Sequence, residues 1–172
     1  TIKGGQLSWA ILQLFKSIEN RSVRLPVGWI VLHTGLGVVD KKHLTTLKKH
    51  TKKLPTASSL PKGAIVGAVR IDRTCTVADC AGTTSKPWAL GPVCNVIGAV
   101  VNLAKPIPHK GALGVWPIKE HIRKEVRASL MRSTVKVANM STLPPLAKDS
   151  GDTTVAGGGG GQRKRARAPA AA

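Results

Sequence analysis

The chain has 172 residues, enough for one domain of ordinary size and a tail. Its 27 lysines and arginines outnumber the 8 aspartates and glutamates, and the formal net charge of +19 predicts attraction to polyanions, with nucleic acid as the first candidate partner. No uninterrupted apolar stretch approaches the roughly 18 residues of a spanning helix, and the first residues lack a secretory signal pattern, so we expect no membrane partner.

The first elements form a helix, an extended segment and a buried strand. The apolar segment that starts at Ser8 predicts a helix to about Lys16, with Ser8 as its N-cap. The segment "SIENRSV" after it is expected to be extended. "GWIVLHTG" (28–35) is a β-branched apolar run bounded by glycines, which is typical of a buried strand. His33 lies near the end of this strand, and a packed core histidine is its simplest interpretation.

A lysine-rich helix follows. Asp40 is a suitable N-cap for "DKKHLTTLKKHTKKL", in which Leu44, Leu47 and Leu54 recur at helical spacing. The outward lysines have no acidic partners after the cap, so we expect either a solvated face or a helix that faces phosphates. These lysines are Lys41, Lys42, Lys48, Lys49, Lys52 and Lys53.

Two long β-type runs (60–74 and 94–105) predict further strands, with bulges or bends at Gly67 and Gly98. Loops rich in glycine and proline carry Trp88 and Trp116. Pro117 is expected to start a helix that reaches Met131. Its apolar stripe consists of Ile118, Ile122, Val126 and Leu130. Together these elements predict an α+β fold, a small β-barrel with flanking helices.

From about Pro144 the sequence shows no helix or strand periodicity. We therefore expect a domain over residues 1–143 and a flexible Gly/Ala-rich tail over residues 144–172. The tail carries a basic cluster that could serve nuclear import or add a phosphate contact. Its members are Arg163, Lys164, Arg165 and Arg167.

The cysteine pattern bears on compartment and metal binding. Cys75, Cys80 and Cys94 are an odd number, which favours free thiols in a reducing compartment, the nucleus or the cytoplasm. The C-x4-C spacing fits structural zinc sites poorly, so buried thiols are the better interpretation. We expect no metal and no cofactor.

Five ordered segments over residues 6–118 resemble the ASCH family (activating signal cointegrator homology), which is related in fold to the PUA RNA-binding barrel. Gln6, an apolar helix and then Lys16, Glu19 and Arg21 resemble the family's "QPWASLIL-G-K-x-x-E-x-R". The others are "GWIVLHTG", "PKGAIVGAVRI", "PWALGPVCNVI" and "PIPHKGALGVW". The chain departs from the family at the start, where Gln-Pro-Trp reads Gln6-Leu7-Ser8-Trp9, and at Leu14, where the family has glycine.

The resemblance implies that Lys16, Glu19 and Arg21 gather at a cleft between helix and barrel. A carboxylate keeps a neighbouring lysine charged, and arginine offers a planar set of donors for phosphate or a base edge. Trp88 and Trp116 could be stacking walls, worth about 1–3 kcal/mol per base. The simpler alternative is a structural ion pair with both tryptophans in the core. The full set of candidate binding residues is Lys16, Glu19, Arg21, His33, Trp88, Lys110, Trp116, Lys48, Lys49 and Lys52.

Three functions remain open from sequence. The first is an RNA-binding module that serves transcription coactivation or RNA processing. The second is an amidohydrolase acting on an acylated pyrimidine nucleoside, with Lys16 and Glu19 as catalytic groups. In that case Glu19 occupies the position of a family threonine, and the family's distant glutamate has no clear counterpart. The third is a protein-interaction scaffold in which the tail recruits partners.

Overall fold

The computed structural model describes residues 1–139 and 143–144. Its helices are α1 (Gly5–Leu12), α2 (Lys41–His50) and α3 (Glu120–Leu130), with single turns of 3-10 helix at Ala57–Ser59 and Lys86–Trp88. Its strands are β1 (Ile18–Arg21), β2 (Gly28–Thr34), β3 (Ala64–Cys75), β4 (Val93–Pro108) and β5 (Val135–Val137). Within these residues, none of the helices is long and apolar enough to cross a membrane. Apart from Pro144, the predicted tail lies outside the described residues.

The five strands form one antiparallel sheet in the order β1-β4-β3-β2, and β5 pairs with β4. The expected α+β class is therefore confirmed. β1 and β2 lie at the two ends of the strand path, and in the described part of the chain the sheet is not closed by pairing between them. Closure into a barrel stays a prediction.

Both glycines expected at bulges lie at irregular points of the β3–β4 ladder. The register shifts between Ile65 and Gly67, and again where Arg70 pairs with Ala99 but Ile71 pairs with Ile97, which leaves Gly98 as the extra residue. A Cβ on Gly67 would overlap the Val101 carbonyl oxygen, so only glycine lets the two strands approach this closely.

Helix α1 begins earlier than expected, and the prediction of Ser8 as N-cap is wrong. The N-cap is Gly4 at φ 81°, a left-handed value that glycine adopts without strain. Ser8 instead donates its hydroxyl proton back to the Gly4 carbonyl at 3.5 Å. The helix also ends sooner, at Leu12, and Leu14 then takes φ 59°. Residues 5–8 are all buried, so tertiary packing rather than a polar cap determines where this helix starts.

The other two helices follow the sequence more closely. Asp40 caps α2 by accepting from the His43 amide at 2.9 Å, and Leu47 is the buried side chain of that helix. Helix α3 starts at Glu120, three residues after the expected Pro117. The residues of the apolar stripe, Ile118, Ile122, Val126 and Leu130, pack as expected on Ile65, Leu103 and Ile107.

Candidate functional site

Lys16, Glu19 and Arg21 form one continuous charged cluster. The Lys16 ammonium donates to the Ile18 carbonyl and, at 2.6 Å, to Glu19 Oε2. The second carboxylate oxygen, Oε1, lies 3.1 Å from Arg21 Nε. The Lys16 and Glu19 side chains are only 4% and 14% exposed, so this is a largely desolvated arrangement rather than a surface ion pair.

Strand β1 explains why these side chains meet. Glu19 pairs with Asn95 and Arg21 with Val93 of β4, so Glu19 and Arg21 point to the same face of the sheet. Asn20 points to the other face, where its side chain holds the loop around Gly91. The buried Asn95 accepts from the Leu25 amide and donates to the Glu19 carbonyl, which fixes the chain on both sides of Arg21.

Two further contacts connect the cluster to the loop that carries Trp116. Arg21 Nη2 donates to the Thr1 carbonyl at 2.8 Å, and the Trp116 indole N–H donates to Thr1 Oγ1 at 3.2 Å. Arg21 and Trp116, ninety-five positions apart, are therefore joined through one residue. Sequence reasoning did not single out Thr1, which carries no motif of its own.

His33 and Trp116 belong to a group of three rings. The Trp116 ring stacks on His109, with centroids 5.0 Å apart and planes 14° apart, and stands edge-on to His33 at 5.7 Å. His33 Nε2 lies 2.9 Å from the His109 carbonyl, which can only accept, so Nε2 carries the proton. His109 is a further residue that sequence reasoning left out of the site.

The second nitrogen of His33 has no hydrogen-bond partner within the described part of the chain. The residue is 3% exposed, and Nδ1 is fully buried. Burial lowers the pKa of His33 from its ordinary value of 6.5, and this favours the neutral ring. Nδ1 is therefore an acceptor without a donor. Arg21 Nε is likewise buried, and despite its 3.1 Å separation from Glu19 it makes no well-directed hydrogen bond in the described residues.

A cavity of about 240 Å³ lies against this cluster. Its lining residues with polar side-chain groups are Thr1, Glu19, Arg21, His33 and Trp116, and most of the others are aliphatic. The aliphatic members from the strands are Ile30, Val31, Leu32, Val69, Ile71 and Ile97. An apolar cavity with a few convergent polar groups is the usual form of a small-molecule site.

A more polar cleft of about 420 Å³ lies on the other side of the same cluster. Lys16, Lys3 and His43 line this cleft, and Glu19 and Arg21 line both spaces. The charged cluster is therefore a partition between an apolar cavity and a basic cleft. Lys16 faces the cleft rather than the cavity.

The remaining candidate residues lie elsewhere. Trp88 is 2% exposed, packs edge-on against His50 and is not in the cavity wall, so its place is in the core. Lys110 is exposed on the loop that carries His109, outside the cavity wall. Lys48, Lys49 and Lys52 are exposed on or just after α2, also away from the cavity. Only Lys16, Glu19, Arg21, His33 and Trp116 of the predicted set are brought together.

The cysteines form a separate cluster. Cys75 and Cys94 are paired in the β3–β4 ladder, and the sulfur atoms of Cys75 and Cys80 are 3.6 Å apart. Burial raises the pKa of Cys75 and of Cys94, and the neighbouring thiol of Cys80 adds to both shifts. Among the residues described, no group of three or more metal-ligating side chains is suitably placed for an ion.

A scan against protein-family models finds no match, and a search of curated proteins finds no matching sequence. What this site can bind therefore has to follow from its geometry and its charge.

Proposed function

We propose that this protein is an RNA-binding module of the ASCH type, with a PUA-like fold, and that one unstacked base of the RNA enters the 240 Å³ cavity. The observation that carries the proposal is the cavity itself, with its aliphatic walls, its Trp116 ring and the charged groups of Glu19 and Arg21 in its lining. A role in transcription coactivation or RNA processing, in the nucleus or the cytoplasm, follows from the ASCH resemblance and belongs to the same proposal.

The charged side chains at the cavity favour a ligand with a mixed hydrogen-bonding edge. The Arg21 guanidinium donates, and the Glu19 carboxylate accepts. The edges of nucleobases carry acceptors and donors side by side.

The shape and the charge favour single-stranded RNA over a duplex. A base has to leave the stack to enter a cavity, and sequence-specific RNA recognition commonly uses such unstacked bases. The basic cleft lies across the partition, where its exposed Lys3 can attract the phosphates next to the inserted base. The net charge of +19 supports the same class of ligand.

The amidohydrolase alternative has weaker support. Lys16 faces the cleft and not the cavity, and its ammonium already donates to a carbonyl and to Glu19. A lysine that acts as a base or nucleophile needs a free lone pair. Hydrolysis of an acylated cytidine by the wild-type chain that is lost in Lys16→Ala would restore this alternative. The scaffold alternative relied on the tail, which lies outside the described residues.

The test is a fluorescence-anisotropy titration of single-stranded RNA with the full chain across a salt series. The Arg21→Ala/Trp116→Ala variant removes one charge and one ring from the cavity. Arg24→Ala/Trp29→Ala is the matched control, because Arg24 and Trp29 are exposed and neither lines the cavity. We expect the cavity variant to lose binding that the control keeps. Equal binding by both variants, with the same salt dependence, would mean that the net charge acts alone.

A further inference from the structure

Half-buried Trp9 of α1 and exposed Phe15, three residues after the end of the helix, form an aromatic pair away from the cavity. The rings of Trp9 and Phe15 have centroids 5.4 Å apart with planes at 37°, and Phe15 is 43% exposed. Phe15 is the only phenylalanine of the chain. A ring that stays partly in water is available for contact with a ligand.

The backbone before Phe15 is strained. Leu14 has φ 59°, and it is the one non-glycine residue with positive φ in the described part of the chain. A left-handed conformation costs a residue with a Cβ about 1–2 kcal/mol. Leu14 packs against the core, while Phe15, the next residue, is exposed. Leu14 directly follows the C-cap of α1, where a left-handed residue commonly ends a helix, and this turn leaves the Phe15 ring outside the core.

Phe15 lies in an open groove, which we call the α1–α2 groove, with a volume of about 830 Å³. It shares no lining residue with the cavity or the basic cleft among the described residues, so it is a separate surface. Its lining residues are Trp9, Gln13 and Phe15 from α1 and its end, and His50, Lys52, Lys53, Pro55 and Ser59 from the end of α2 and the following loop.

The charge of this groove has one sign. None of the described acidic residues lines it, and Lys136 adds a further ammonium at its edge by donating to Gln13 Oε1 at 3.1 Å. The helix dipole accounts for the lysines in the last turn of α2, where cations are favourable. Lys52 and Lys53 lie beyond the last helical residue, His50, so the helix dipole explains their positions less well.

We propose that the α1–α2 groove is a second contact surface for single-stranded nucleic acid, with a base stacked on Phe15 and Trp9 and phosphates held by Lys52 and Lys53. Positive grooves lined with exposed aromatic rings are how proteins hold single strands without reading sequence. A duplex fits less well because its base faces are already stacked. This inference rests on the proposed function only for the class of ligand, since it uses different residues.

The test compares a single-stranded RNA of about twelve nucleotides with one of about three, each titrated with the full chain across a salt series. Phe15→Leu keeps an apolar side chain but removes the ring, and Phe15→Tyr restores the ring. Lys52→Gln/Lys53→Gln removes two charges, and Lys41→Gln/Lys42→Gln is its matched control, because those exposed lysines are at the other end of α2, outside the groove.

We expect Phe15→Leu to weaken binding of the longer RNA by about fivefold or more, and Phe15→Tyr to bind as wild type does. Lys52→Gln/Lys53→Gln is expected to weaken it and to reduce its salt slope by about 1 to 1.5, whereas the control keeps both. The shorter RNA, held by the cavity alone, is expected to bind all of these variants equally.

Equal affinity and equal salt slope for the groove variants and the control would overturn the groove proposal. So would a loss of binding to phosphatidylserine vesicles with RNA binding unchanged, because the surface would then be a lipid contact. The experiment distinguishes a failure of the cavity proposal from a failure of the groove proposal. Arg21→Ala/Trp116→Ala binding both RNAs as wild type would contradict the cavity, while the groove variants would still report on the longer RNA.

Discussion

Lys16 and Glu19 form an ion pair of 2.6 Å in which little of either side chain reaches water. Such a pair is expensive to break, because the remaining charge stays buried without a partner. Arg21 on the other carboxylate oxygen makes Glu19 the centre of the cluster. The charged partition between the cavity and the cleft therefore depends on the Glu19 carboxylate.

Replacing Glu19 with alanine is expected to lower the free energy of unfolding by about 3 to 5 kcal/mol, measured by urea denaturation. The double variant Lys16→Met/Glu19→Leu is expected to lose less, since it leaves only Arg21, the more exposed cation, without its carboxylate. The single variants Lys16→Met and Glu19→Leu complete the cycle, and a double variant that loses the sum of their two effects would show that the pair is not coupled.

The stability of the protein is expected to fall below about pH 6.5 because of His33. Burial is the main cause that lowers the pKa of His33 in the folded state. The charge of His109 lowers it further, whereas the hydrogen bond to the His109 carbonyl raises it. The unfolded chain therefore takes up this proton at a higher pH than the folded protein does. The contribution is complete above the ordinary value of 6.5 and is lost as the pH falls below it.

Urea denaturation at about pH 7.5 and about pH 5.5 measures this change, because the two values lie on either side of the ordinary histidine pKa. His33→Gln is expected to remove part of the loss between the two pH values, and the exposed His121→Gln is its control. An identical loss in wild type and His33→Gln would rule out His33 as its source.

Gly67 is expected to tolerate no side chain. Gly67→Ala forces a Cβ onto the Val101 carbonyl oxygen at a bulge of the central ladder, and we expect a loss of about 2 to 4 kcal/mol in the free energy of unfolding. Gly82→Ala is the comparison, because Gly82 has φ 73° but open space around it, and strain alone costs about 1 kcal/mol. Equal losses at the two positions would mean that the close strand approach is not what requires glycine.

The three cysteines are expected to react slowly in the native protein, Cys80 because it is fully buried and the other two because their thiols stay protonated. Burial and the neighbouring Cys80 thiol raise the pKa of Cys75, and the same two causes raise that of Cys94, so little thiolate forms near about pH 8. Labelling with a chromogenic disulfide should be much slower than for the urea-unfolded chain. Native labelling of one thiol at the unfolded rate would contradict the packing of this cluster.

Local patterns made much of the fold predictable. Runs rich in β-branched residues correspond to β2, β3 and β4, and the register shifts lie next to Gly67, where a Cβ would overlap the Val101 carbonyl oxygen, and Gly98. The N-cap role of Asp40 could be predicted because it depends on one side chain that directly precedes a helical pattern in the sequence. The start of α1 could not be predicted, because its first residues are buried by contacts with distant segments and no side chain caps them.

The site was only partly visible. Lys16, Glu19 and Arg21 are close in sequence, so their association follows from one turn and one short strand. The roles of Trp88 and Trp116 could not be separated, because both lie on similar loops and only the sheet decides which is buried. His109 and Thr1 join the site through contacts across 76 and 115 positions, which no local pattern records.

The most direct test of the central claim fills the cavity and measures RNA binding. Val115 lines the cavity and is 62% exposed, whereas Val135 is 49% exposed on β5 and does not line it, so each tolerates a larger side chain at the surface. We compare Val115→Trp with Val135→Trp in the full chain, using single-stranded RNA at about 0.3 M salt to suppress non-specific binding. Ile30→Phe fills the same cavity from β2.

We predict that Val115→Trp and Ile30→Phe bind RNA about tenfold more weakly than Val135→Trp, with each fold confirmed by its urea transition. Equal affinity of all three variants would contradict the claim that a base occupies this cavity.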